Sequence, residues 1–297
     1  MPDNSRDHAR PGESRGPVDT AIDTVIDIDE DEFTIRPLAS RCDYQACMAL
    51  QNEVWGPAYG ETVPASLLQV AQHVGGLAIG AFTAEGELVG FVFGLTGVKD
   101  GETVHWSHML GVREAARNTG LGRVLKEYQR AELARLGIKE MHWTFDPLVA
   151  KNAHLNLNRL GAHVIEYVRD MYGKTGSPLH GSVTDRLVVS CPTDTNSRRV
   201  AAADAANGAV PILTPGPQHG DVPHDDASAC PPTVWIEIPA DIQRVIARSP
   251  TEAETWRWSV RRHFEWALGK GYAVTSLHRD PVTSRSFYTL ELEAAAS

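Results

Sequence analysis

The sequence predicts an α/β fold with a mixed, mostly antiparallel central sheet. Three observations predict it. Short strand-like and helix-like segments alternate between residues 33 and 190, glycine-rich turns stand at their joints, and the hydrophobic period changes near residue 120 from two to about 3.6. The chain has 297 residues, 42% of them hydrophobic and 22% charged, which is enough apolar material for a sizeable core.

The elements follow in order. Residues 1–32 are rich in Asp, Arg, Pro and Gly and are expected to be disordered. Residues 33–36 alternate as a strand, and 44–54 read as a helix. Trp55-Gly-Pro-Ala-Tyr-Gly60 then carries turn chemistry with two aromatics. Residues 77–83 and 88–95 bracket Glu85-Gly86-Glu87 as a hairpin, and 104–112 form the next strand. Leu121, Val124, Leu125, Tyr128 and Leu136 then fall on one helical stripe, with Gly137 at the position that ends such a helix. Residues 141–145 read as a strand, 151–160 as a helix stopped by Gly161, and 162–168 and 184–190 as two more strands.

From 192 to 231 the composition shifts to Ala, Asp, Pro and Gly without an aromatic, as in a flexible linker. Beyond it, 233–238 read as a strand, 241–269 as a helix or two meeting at Pro250, and 272–277 and 286–292 as strands. The domains expected are therefore 33–191 and a C-terminal region, 232–297, docked on it. Lys270-Gly271-Tyr272-Ala273-Val274 repeats the pattern of Leu160-Gly161-Ala162-His163-Val164. Either the C-terminal region is a truncated second half of the same fold, or the two helix–Gly–strand joints coincide by chance; strand pairing distinguishes the two.

Charge and cysteine usage exclude some classes. A general nucleic-acid binder usually carries a basic face, and a net charge of −10 does not favour that partner, so no nucleic acid is expected. Cys42, Cys47, Cys191 and Cys230 form no CxxC pair, so neither a disulfide framework nor a metal site is expected. The longest near-apolar run, 88–98, is too short for a membrane span, and the polar opening residues lack a leader's apolar stretch. A cytoplasmic protein is expected, with no membrane partner.

The informative segment is Val112-Arg-Glu-Ala-Ala-Arg117-Asn-Thr-Gly120-Leu-Gly122-Arg123, joining a strand to a helix. Such a turn aims unpaired backbone N–H groups and the positive end of the helix dipole at an anion. Gly120 and Gly122 allow close approach, and Arg117 and Arg123 can add charge-assisted hydrogen bonds. A Rossmann fingerprint would need a further glycine and a parallel unit, and a Walker loop would need Gly-Lys-Ser/Thr. The segment resembles instead the Q/R-x-x-G-x-G/A pyrophosphate loop of the GNAT (GCN5-related N-acetyltransferase) superfamily. Leu110-Gly111-Val112 resembles that family's pantetheine-binding strand. Asn152 and Leu160-Gly161-Ala162 resemble its asparagine and helix terminator.

The resemblance covers about 33–190. It implies a GNAT fold and acetyl-CoA or another acyl-CoA as co-substrate, without a metal. Coenzyme contacts would come from Leu110, Gly111, Val112, Arg117, Asn118, Thr119, Gly120, Leu121, Gly122, Arg123 and Asn152. The sequence departs from the family at Leu157, where many members carry a tyrosine acid; Asn156 and Asn158 flank it. Tyr167 and Tyr172 are the substitutes at hand, and Tyr172 is the candidate acid. For the base, the strand offers His105 and His108, whose odd separation puts them on opposite faces. His108 is favoured, and simple alternation gives it the parity of Leu110 and Val112. Trp55 and Tyr59 are candidate acceptor contacts, and Glu53 and Glu61 could attract an ammonium group. Asp146 is read as a turn residue. Arg257, Arg261 and Arg262 are read as a solvated helix face opposite the stripe of Trp256, Val260, Phe264 and Ala267.

The activity implied is transfer of an acetyl or other short acyl group, such as succinyl, to an amine on a small molecule, by direct attack in a ternary complex. The alternative, drawn from Leu157, is a non-catalytic coenzyme A binding or sensing protein. A homodimer is compatible with either.

Overall fold

Alternating apolar and polar residues build the strands, and one sheet gathers most of them. Its strands are β1 (Thr24–Ile28), β2 (Asp31–Pro37), β3 (Leu77–Thr83), β4 (Leu88–Lys99), β5 (Glu102–Val112), β6 (Glu140–Phe145), β7 (His163–Val168) and β8 (Arg186–Pro192). The structure, a computed structural model, describes residues 23–28, 31–56, 60–173, 183–194, 210–213 and 230–293. The order across the sheet is β1-β2-β3-β4-β5-β6-β8-β7. Every pair is antiparallel except β5 and β6.

Helices cover both faces. On one lie α1 (Arg41–Trp55) and α2 (Ala65–His73), packed through Leu50 and Leu68 on Phe91, Phe93 and Met109. On the other lie α3 (Leu121–Arg135) and the short α4 (Ala150–Ala153). Helix α1 starts at a reciprocal cap: Ser40 Oγ accepts from the Asp43 N–H, and the Asp43 carboxylate accepts from the Ser40 N–H. Of the predicted stripe, helix α3 buries Leu121 and Leu125 and half-buries Val124 and Tyr128; it also buries Leu133, which the stripe did not include, and leaves Leu136 exposed.

Several expectations are corrected. Strand β1 lies inside the segment expected to be disordered; its alternating Thr-Val-Ile-Asp-Ile pairs along β2. The rest of that segment lies largely outside the described residues. Helix α2 was not read from the sequence, because Pro64 precedes it and no side chain caps it. The helix expected over 151–160 is one α turn followed by a π-helix, His154–Arg159.

A second sheet follows. It comprises β9 (Ile212–Leu213), β10 (Thr233–Ile238), β11 (Tyr272–Arg279) and β12 (Ser286–Leu292), in the order β11-β12-β10-β9. Strand β9 falls inside the expected linker, most of which lies outside the described residues. Helices α5 (Ile242–Arg248) and α6 (Pro250–Gly269) separate at Ser249, which caps α6 before Pro250.

The pairing repeats that of the first sheet. There, parallel β5 and β6 are followed by a helix and a hairpin whose second strand returns to β6. Here, parallel β9 and β10 are followed by helices and a hairpin whose second strand returns to β10. The irregularities match too. The register shifts between Val164 and Glu166 and between Val274 and Ser276, each just beyond a left-handed glycine, Gly161 (φ 70°) and Gly271 (φ 86°). The second sheet thus repeats the strand pairing at the end of the first, as the expectation of a truncated second half requires.

The two parts share one core. Trp143, Phe145, Leu187 and Val189 of the first sheet pack with Val260, Phe264 and Tyr288 of the second part. Asn158 exchanges two 3.0 Å hydrogen bonds with the Leu277 backbone, as a strand neighbour would. The solvated face expected for α6 is corrected here. Arg257 is buried and donates to Asp146 Oδ2 at 3.0 Å, and Arg261 is buried between Asp185 and Asp170. Arg262 is exposed as expected.

Candidate active site at a splayed strand pair

Strands β5 and β6 pair only over Val104–Trp106 and Glu140–His142. Beyond Trp106 and His142 they part, leaving the rest of β5 without a strand neighbour on that side among the described residues. An unpaired backbone edge of this kind can hold an extended ligand as an added strand.

A β-bulge lies where the strands part. Phe93 of β4 faces Met109 and Gly94 faces Ser107, so His108 is the extra residue. The bulge overturns the parity expected from simple alternation. Leu110 and Val112 pack on the α3 side. His108 turns the other way: its ring meets Phe93 edge-on at 6.3 Å, and the Glu61 carboxylate is near enough to act on its charge. It thus faces the side carrying the α1–α2 loop.

His105 lies on the α3 face, as the odd spacing required, and it is fully committed. Thr96 Oγ1 donates to Gly75 O at 2.6 Å, so it accepts from His105 Nδ1 at 3.0 Å. His105 Nε2 then accepts from Gln129 Nε2 at 3.0 Å, and Gln129 Oε1 accepts from Ser107 Oγ at 2.7 Å. Ser107 Oγ in turn accepts from Lys126 Nζ at 2.6 Å. Every member of this buried chain is satisfied, and its direction fixes the imidazole tautomer. Burial and the neighbouring Lys126 push the His105 pKa down to about 3, so it stays neutral. Gly94 must lack a side chain for this, since a Cβ there would stand 2.2 Å from His105 Nε2.

Lys126 was missed from sequence. It occupies the inner face of α3, with its ammonium 4.1 Å from the centre of the Trp143 ring. Burial lowers its pKa to about 7. The available signal was a lysine between Leu125 and Gln129 on a buried stripe, which a count of apolar positions passes over.

His108 and Thr144 lie on β5 and β6 just past the point where those strands part. Trp106 pairs with His142, and two residues further along each strand come His108 and Thr144. Thr144 Oγ1 lies 3.2 Å from Tyr172 Oη, and the Arg186 guanidinium sits 5.2 Å from the centre of the Tyr172 ring. His108 thus stands on β5 and Tyr172 bonds Thr144 of β6, one on each of the two strands that part. His108 is open to solvent on one side, yet the surrounding protein lowers its pKa; the Glu61 carboxylate opposes that shift.

Trp55 closes α1 against the same strand. Its ring meets Phe91 edge-on at 6.0 Å, and its Cη2 would stand 3.2 Å from a Cβ at Gly111. Tyr59 lies outside the described residues. Glu53 pairs with Arg113 at 3.2 Å, which leaves Glu61 as the carboxylate near His108.

The glycine loop follows β5. Arg117 Nε donates back to Val112 O at 3.1 Å, and Thr119 Oγ1 bridges Ala116 O and the Leu121 N–H. Asn118 (φ 71°) and Gly120 (φ 98°) take left-handed conformations, and Gly120 starts α3 without a side-chain cap. A Cβ at Gly120 would meet nothing within 4 Å, and one at Gly122 nothing nearer than 3.7 Å. Internal packing therefore does not require bare backbone at Gly122, whereas a diphosphate approaching the helix start does. The loop fits such a group. Arg123 pairs with Glu127 at 2.9 Å along the helix. The Lys151 ammonium of α4 donates to Asn118 Oδ1, tying the loop to the neighbour of Asn152.

Leu157 is buried in the core shared with the C-terminal part and faces no opening. Asn156 accepts from Trp143 Nε1 at 3.1 Å, and Asn158 is taken up by Leu277. Tyr167 is excluded as an acid. It donates to Asp185 and stacks on Phe264 at 5.5 Å, and burial together with that carboxylate raises its pKa well above the usual phenol range. Asp146 is the turn residue expected, its Oδ1 accepting from the Leu148 N–H at 2.9 Å. Among the described residues no group of His, Cys, Asp and Glu could hold a metal, all four cysteines are free, and no helix is long and apolar enough to cross a membrane.

No protein-family model and no curated protein matches the sequence. Solved structures match part of the chain at low identity. The ribosomal-protein-S18-alanine N-acetyltransferase of Escherichia coli is 20% identical, covering 55% of this chain and 94% of its own, with a TM-score of 0.43. An aminoglycoside 6′-N-acetyltransferase complexed with coenzyme A is 15% identical over 54% of this chain and 97% of its own, with a TM-score of 0.42. A chain of the NatC complex bound to Gag peptide and CoA is 13% identical over 54% and 98%, with a TM-score of 0.44.

Proposed function

We propose that the protein is an acyl-CoA-dependent N-acyltransferase that acylates an amine on a small molecule by direct attack in a ternary complex. The observation that carries this reading is the parting of β5 from β6, which leaves an unpaired strand edge between the glycine loop at its end and His108 at the bulge. Residues 117–123 would hold the diphosphate, and the β5 edge at 110–112 the pantetheine. When bound, an acyl-CoA supplies the acyl group as a thioester with a good leaving group, since a thiol has a pKa of about 8.5.

The chain's own residues would prepare the acceptor. Glu61 attracts an ammonium group toward His108. His108, neutral at pH 7, removes a proton from the ammonium nitrogen and frees its lone pair. A backbone N–H of 109–111 donates to the carbonyl oxygen as charge develops there. The Tyr172 hydroxyl, held by Thr144, can give the departing sulfur a proton. Leu157 therefore does not favour the sensing alternative.

The test is a thermal-shift titration with coenzyme A, acetyl-CoA and succinyl-CoA beside a Gly120→Glu variant. Ligand at about 100 times its dissociation constant stabilises a fold by roughly 2.7 kcal/mol. The shift is expected in the native chain and lost in the variant, with the best thioester then carried into an amine screen. No shift with any thioester would end the reading.

A further inference from the structure

The glycine loop does not stand alone. A cleft of about 540 Å³ opens beside it, walled on one side by the start of α4 and on the other by the C-terminal part. Ala150 and Lys151 come from α4; Asp241 and Arg244 from the start of α5; Arg279 and Ser284 from the end of β11 and the turn after it. Neither part forms the cleft without the other.

Its charge runs against that of the molecule. The chain carries −10 overall, yet the cleft gathers three cations and one carboxylate. Asp241 pairs with Arg244 at 3.2 Å. No ion pair engages Lys151 or Arg279 among the described residues. Arg279 lines the cleft with Lys151 and lies close enough to the π turn after α4 to lower the pKa of His154. Lys151 already touches Asn118 of the glycine loop. A run of positive charge thus leads from the loop into the cleft.

We propose that this cleft receives the phosphorylated ribose end of coenzyme A, with Lys151 and Arg279 pairing its 3′-phosphate. The inference rests on the coenzyme reading of the loop. In that ligand one ribose carries both the diphosphate and the 3′-phosphate, so a diphosphate at residues 118–122 puts the dianion one sugar away, where Lys151 stands. The C-terminal part then has a binding role: Arg279 completes the coenzyme site from a different sheet.

The experiment is calorimetric titration of the full chain with coenzyme A and with 3′-dephospho-coenzyme A, in native, Arg279→Ala and Lys151→Ala forms. The native chain is expected to prefer coenzyme A by about tenfold or more, as charge-assisted pairs to phosphate do. Arg279→Ala should weaken coenzyme A and leave the dephospho ligand unchanged, with preference falling toward one. Equal native binding of the two ligands would overturn the proposal while leaving the coenzyme reading intact. So would a variant that weakens both equally. Binding of neither ligand would overturn both readings. Arg279 is exposed, so the variant keeps the fold.

Discussion

At the residue scale, two buried or crowded bases behave in opposite ways. His108 has one open side and a carboxylate in reach, so it can exchange a proton with a bound amine. Replacing it with Ala is expected to lower kcat by roughly 10²–10⁴-fold without changing coenzyme affinity. Unchanged turnover with intact binding would remove it from the mechanism. The pH profile adds a sharper check. Activity falls on the acid side as His108 gains its proton, at a pH below 6.5 because its pKa is lowered. Glu61 holds that pKa up, so Glu61→Gln should move the acid limb to still lower pH. A limb that stays in place, or moves up, would contradict the pairing.

Lys126 has no open side. Its pKa in the fold is about 7 against 10.5 when unfolded. From pH 7 to 10.5 the unfolded chain therefore binds the extra proton, and stability rises with pH across that window. The gain is of order several kcal/mol at about 1.4 kcal/mol per pH unit. Lys126→Met should flatten this slope in urea melts run at several pH values, at the cost of the Ser107 contact. Parallel slopes in the two proteins would mean that water reaches the ammonium.

At the scale of elements, the sequence made most strands and helices legible, because their periods and glycine stops were plain. The α3 stripe and the hairpin around Gly86 read directly. The bulge at His108 did not, since alternation assumes one residue per position and nothing local announces an extra one. His108 was legible as a candidate while its direction was not. The buried polar residues of α3 escaped for a related reason: Lys126, Gln129 and Arg130 lie inward because partners at Ser107, His105 and Thr193 await them, and those partners are distant in sequence. The π turn at 154–159 was likewise hidden: its Asn158 bonds the backbone of Leu277, more than a hundred residues away.

At the scale of the whole molecule, the C-terminal part is an integral wall. Arg257 and Asp146 are both buried, and their pair joins α6 to the turn after β6. Removing one partner of such a pair typically costs about 3–5 kcal/mol, because the other charge stays buried alone. Arg257→Ala is therefore expected to lower the midpoint of a single cooperative transition. Two separate transitions, only one of them shifted, would show that the parts unfold independently. Tyr288 reinforces the joint by donating to Pro147 O at 2.8 Å from inside the shared core.

That shared core has a consequence during synthesis. Trp143, Phe145, Leu187 and Val189 are covered in part by Phe264 and Tyr288, which lie about a hundred residues later in the chain. At roughly 5–20 residues per second, the emerging first part must wait about 5–20 s with this apolar face bare. A nascent chain with residues up to about 195 clear of the ribosome would therefore present a sticky, half-walled sheet to holding chaperones, and release from them should follow emergence of β12.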